Sequence, residues 1–145
     1  MTIEIQPGSI EHISQVISQV VAPAFLLGAV ASYISFLAMR MDSVLARIRY
    51  INDVPDEGHP KSKLKADLLR QRRRATLLQR AMLLSIVSGV ASAMLIIVAF
   101  AAALSSVNHA WATAILFVVS LGLLSASLMA LFMDVRIGLT EYDHY

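Results

Sequence analysis

Apolar positions fill three long stretches of this chain, and the charged positions collect between them. Ile13 to Met39 contains no charged residue, and Ala81 to Met133 contains none beyond the normally neutral His109. Runs of this length and purity predict membrane-spanning helices. We place the spans at 22–39, 81–104 and 111–133. At 1.5 Å per residue the first just crosses a hydrocarbon core of ~30 Å. Ser105 to Ala110 is too short for anything but a tight turn. Asn108 is suited to cap the third helix there, and Trp111 sits where an interfacial aromatic belongs.

Before the first span the pattern changes period. Ile10, Ile13, Ile17 and Val20 recur at helical spacing, with Glu11, His12, Ser14, Gln15, Ser18 and Gln19 on the other face. This predicts an amphipathic helix over 9–21, opened by Ser9 as N-cap after the Pro7–Gly8 break and lying on the outer membrane surface. Pro23 leaves two outcomes open. The helix turns there into the bilayer, or it continues as a single kinked helix.

The middle segment, 40–80, also has helical period. Val44, Ile48 and Ile51 continue the first span, and Leu64, Leu68, Leu69, Leu77 and Leu78 lead into the second. Between them DVPDEGHP, from Asp53 to Pro60, carries two prolines, a glycine and acids, a strong turn signal. The two spans are therefore expected to extend beyond the membrane as a helical hairpin, with about three to four turns per arm.

Charge gives this hairpin a side. Eleven of the twelve Lys and Arg residues lie between Arg40 and Arg80, against five carboxylates, so the net charge of +2 hides one strongly basic segment. The positive-inside rule puts that segment in the cytoplasm, the N-terminus outside, and the tail 134–145 with Arg136 inside. The first cation, Arg40, comes after the first apolar run, so that run reads as a retained helix rather than a cleaved signal peptide. The expectation is an all-α integral membrane three-helix bundle, one domain over 1–145, with the hairpin and the amphipathic helix as extensions.

Three groups of residues carry candidate chemistry. The first is the cluster Arg70, Arg72, Arg73, Arg74 and Arg80. It retains the topology and attracts anionic headgroups at about 1 kcal/mol per residue. It is also a candidate dock for an acidic protein or a phosphorylated ligand. The second is at the inner interface, where Arg40, Asp42, Arg80, Asp134 and Arg136 stand at three helix ends with alternating sign. They predict an ion-pair collar in which Asp134 takes Arg80 or Arg40 as partner, against the plainer outcome that each charge snorkels into water. The third is a set of small residues at four-residue spacing: Ala24, Gly28 and Ser32; Ser85, Gly89 and Ala93 with Ser88 and Ser92; Gly122 and Ala126. Such stripes allow close helix packing in lipid. Three helices offer fewer seams than there are small faces, so the surplus points to homo-oligomerisation. The second span, with the strongest stripe, is the expected central or oligomer-facing helix.

Several classes are excluded. With no cysteine there is no disulfide and no thiolate site. No Asp, Glu, Lys or Arg lies inside a span, where proton relays and ion-coupled transporters place them. The four histidines have no metal-ligand spacing, and no serine sits in a G-x-S-x-G elbow. The arginine cluster has no interleaved aromatic residue for nucleic acid. No cofactor and no enzymatic activity are expected. A scaffold or regulatory subunit that oligomerises or binds a partner through the hairpin is the leading expectation. The alternative is a homo-oligomeric ion or small-solute channel lined by serines.

Two segments resemble a known family: VISQVVAPAFLLGAVASYISFLAMRMDSVLARIR and, after the acidic turn, RRRATLLQRAMLLSIVSGVASAMLIIVAF. Arg40 after the first span, the Arg-x-Arg at Arg47 and Arg49, and the run from Arg73 to Ala81 carry the likeness. The chain is similar, over about Ser14 to Gly138, to a bacterial family of small three-span membrane proteins, domain of unknown function 2721. That resemblance implies a bacterial inner-membrane location and supplies no catalytic residue.

Overall fold

The computed structural model describes residues 7–53, 61–105 and 110–139. They form three helices: α1 (Pro7–Asp53), α2 (Lys61–Ser105) and α3 (Ala110–Leu139). Each is long and apolar enough to cross a membrane, and the described residues hold no strand. At 1.5 Å per residue α1 and α2 are each about 70 Å long, more than twice a hydrocarbon core, and α3 is about 45 Å. The acidic turn, residues 54–60, and the Asn108 cap lie outside the described residues.

Pro23 does not end α1, which has proline in its interior and runs on unbroken. Of the two outcomes left open at that position, the helix is continuous rather than broken. The helix also begins at Pro7, ahead of the expected Ser9 cap. Proline suits a first helical position, because the N–H it lacks would have had no partner there. The isoleucine stripe of this segment does not form the packed face: Ile10, Ile13 and Ile17 are exposed, while Val16, Val20 and Pro23 are buried.

What selects the buried face is a seven-residue repeat. On α1 the repeat Val16, Pro23, Val30, Leu37 and Val44 is buried throughout. On α2 two such rows turn inward, one through Gln71, Leu78, Ser85 and Ser92, the other through Arg74, Ala81, Ser88 and Leu95. On α3 the row is Ser120, Ser127 and Asp134. A strict heptad keeps one seam facing its neighbour and gives a left-handed supercoil, the common geometry of membrane bundles. The central helix is α2, which packs along both α1 and α3.

From the inner ends of the apolar spans into the arms, α1 and α2 remain packed. Leu37, Val44, Leu78 and Ala81 form a buried cluster, with Ile48 and Ala75 against it. Arg47 on one arm reaches Asp67 on the other at 3.6 Å.

Gly89 marks a close approach of α1 to α2. A Cβ there would lie 3.3 Å from Val30 Cγ1. Gly89→Ala is expected to leave stability within about 1 kcal/mol, the shift of Val30 being offset by the better helix propensity of alanine, and Gly89→Leu to cost about 3 kcal/mol by prising the helices apart. Thermal unfolding in detergent measures both. Equal melting points for the two variants would show that this seam does not hold the pair together.

Candidate functional site

The polar residues of the bundle fall into two internal sites. The first is a serine ladder between α2 and α3. Ser88 Oγ donates to the Ser120 carbonyl at 2.7 Å, and Ser120 Oγ donates to the Ser88 carbonyl at 2.8 Å. Ser92 Oγ lies 2.6 Å from Ser120 Oγ. One heptad further along, Ser127 Oγ donates to the Ala81 carbonyl at 2.6 Å and lies 3.3 Å from the Tyr33 hydroxyl of α1. Ser85 turns back on its own helix, donating to the Ala81 and Met82 carbonyls. These serines are all fully buried. In lipid an unmatched hydroxyl has no water to turn to. Among the described residues no buried side-chain nitrogen or oxygen lacks a partner.

The second site is an ionic clamp. Asp134, fully buried on α3, receives Arg40 Nη2 from α1 at Oδ2 and Arg74 Nε from α2 at Oδ1, each at 3.0 Å. One carboxylate thus ties all three helices. Such a buried pair costs desolvation, which two charge-assisted bonds on separate oxygens offset. Arg74 also crosses Gly138: a Cβ on that glycine would lie 3.3 Å from Arg74 Nη2. Gly138 stands one turn beyond Asp134, so its missing side chain makes room for the guanidinium.

The expected collar therefore takes a narrower form. Arg40 is in the clamp, but its companion is Arg74, not Arg80. Arg74 shares a seven-residue row with Ala81 and Ser88 on the inward face, whereas Arg80 is one position, about 100°, off that row and exposed. Asp42 and Arg136 are exposed as well. The tail expected from residue 134 begins later, because α3 continues to Leu139 and holds Asp134 in helical register with its arginines.

The arginine cluster divides in the same way. Arg74 turns inward, while Arg70, Arg72, Arg73 and Arg80 stay exposed. The small residues divide too. Ser85, Ser88, Gly89 and Ser92 are buried in the seams, while Gly28, Ser32 and Gly122 face out of the bundle, with nothing within 4 Å of a Cβ on either glycine. Ser32 Oγ donates to the Gly28 carbonyl of its own helix at 3.1 Å. Ser88 and Ser92, as pore-lining candidates, are engaged by Ser120 within one chain.

Sequence reading missed Ser120 and Ser127. The signal was present as a polar row at seven-residue spacing, Thr113, Ser120, Ser127 and Asp134.

Neither a curated protein nor a solved structure matches the chain. A family model, protein of unknown function (DUF2721), matches residues 20–143, which include all three spans, the serine ladder and every residue of the clamp. This three-helix, multi-pass membrane protein therefore belongs to the DUF2721 family.

Proposed function

We propose that this protein is a non-enzymatic scaffold or regulatory subunit of a bacterial inner membrane. It self-associates and docks an acidic protein partner on its second arm. The carrying observation is the division of the arginines: two are held by Asp134, while Arg70, Arg72, Arg73 and Arg80 stand exposed on one long helix braced by α1. A rigid helix holds guanidiniums at fixed spacing, which favours charge-assisted bonds to carboxylates at little further loss of entropy. The concentration of cations between residues 40 and 80 supports a cytoplasmic arm, with the N-terminus outside.

Three measurements test the parts of this reading. An acidic peptide titrated onto the reconstituted protein should bind in a salt-sensitive way. Changing Arg70, Arg72 and Arg73 together to Gln should weaken that binding at least ten-fold, and unchanged affinity would overturn the dock. A chain without cysteine accepts reporter thiols cleanly. An impermeant thiol reagent added outside cells should label Ser9→Cys and not Lys63→Cys, and the reverse pattern would overturn the orientation. A strict monomer by native mass spectrometry from mild detergent would remove self-association.

A further inference from the structure

Between the arms, just beyond the first span, lies a cleft of about 370 Å³ lined by Arg40, Ser43, Val44, Arg47, Gln71 and Arg74. Its wall carries three guanidiniums, an amide and no carboxylate. We infer that this cleft is a binding site for the phosphodiester of an anionic phospholipid headgroup.

Charge is the first ground. Arg40 and Arg74 share the single carboxylate of Asp134, and Arg47 is offset by Asp67. One positive charge remains over, which matches a phosphodiester monoanion. Unused donors are the second. Arg74 gives Asp134 only its Nε, and Arg40 only one amino nitrogen. The remaining guanidinium N–H groups have no other acceptor among the described residues. The planar fork of an arginine is suited to the paired oxygens of a phosphate.

Gln71 is the third ground. It lines the cleft at only 3% exposure and so sets a side-chain amide against the guanidiniums there. An amide held against three guanidiniums has donors to offer to an anion.

Depth selects the source of the phosphate. The headgroup region adds about 5–7 Å on each side of the hydrocarbon core. Arg40 follows the last apolar residue of the first span, and Arg40 to Arg47 covers about 10 Å of helix. The cleft thus opens at the level of the lipid phosphates. Its site is separate from the exposed arginine face proposed as a dock, and the two are tested by different residues.

The test uses the full chain in nanodiscs of phosphatidylcholine alone or with phosphatidylglycerol. Native mass spectrometry counts retained lipid, and a titration of phosphatidylglycerol gives its affinity. Wild type should retain phosphatidylglycerol at a fixed stoichiometry and melt higher in its presence. Gln71→Leu and Arg47→Gln should each lower the affinity about ten-fold or more, while Arg72→Gln with Arg73→Gln changes it less than three-fold. If Gln71→Leu does not fold, Gln71→Glu keeps the volume and places a negative charge in the cleft, and it should abolish retention. Equal losses from the cleft and the exposed arginines would overturn the site in favour of diffuse surface attraction. Displacement of the lipid by millimolar inorganic phosphate would overturn the lipid as occupant, with the cleft then taking free phosphate.

Discussion

Changing Arg40 and Arg74 together to Met should destabilise the bundle by about 3–5 kcal/mol, whereas Asp134→Leu should cost less than about 2 kcal/mol. The asymmetry follows from burial. Asp134 is fully enclosed, while Arg74 is 16% and Arg40 31% exposed. Removing the arginines strands a carboxylate that can reach neither water nor another cation without unpacking α3. Removing the carboxylate leaves two cations on long stems near the headgroup level, where they can swing outward. The triple replacement with Met, Met and Leu should recover most of the loss, because a buried ion group is often replaced by apolar side chains at no net cost. Unfolding in mixed micelles of increasing denaturing-detergent content ranks the three proteins. Should Asp134→Leu prove as damaging as the loss of both arginines, the clamp would owe its strength to something other than carboxylate burial.

The same clamp shows how far this sequence discloses its structure. Three spans were legible because lipid tolerates neither unpaired backbone nor charge, so the helices had to appear as long uncharged runs. That Asp134 needs a cation was legible for a related reason, since it follows directly on such a run. The identity of the second cation was not. Arg72, Arg73 and Arg74 are chemically identical neighbours, and only rotational position distinguishes them. That position is written in the seven-residue row through Ala81, Ser88 and Leu95, a period hidden when small residues are counted every fourth position. Gly28, Ser32 and Gly122 are not told apart from Ser85 and Gly89 for the complementary reason. A small residue looks alike in sequence whether it lets a neighbouring helix approach or simply faces outward. At the N-terminal end, Ile10, Ile13 and Ile17 are more hydrophobic than the residues that are buried there. Val16, Val20 and Pro23 take the seam because they continue the heptad of Val30, Leu37 and Val44. Registration along α1 outweighs local amphipathicity.

Ser120→Leu should be among the most damaging changes in the membrane-spanning part, at about 3–5 kcal/mol. Two effects add. Ser120 has no exposed surface and meets both Ser88 and Ser92 across the seam. Its replacement removes interhelical hydrogen bonds worth about 0.6 kcal/mol each, reaching about 1.7 at most. The larger side chain also has no space, and overpacking of this kind costs about 1–3 kcal/mol. Ser120→Ala isolates the first effect and should cost about 1–2 kcal/mol. Ser125→Leu supplies the control, since it makes the same change on the same helix at an exposed position and should leave stability within about 0.5 kcal/mol. Melting temperature in detergent and ion leak from liposomes, measured on the same samples, separate the two roles open to these serines. A packing ladder predicts a large loss of stability for Ser120→Leu and no protein-dependent leak in wild type. A water-lined pore predicts the opposite: a leak that the leucine blocks, in a protein that melts where wild type does. The hydroxyls favour the ladder, because Ser88 and Ser120 each donate to the other's carbonyl and both are fully buried, which turns them into the seam between α2 and α3.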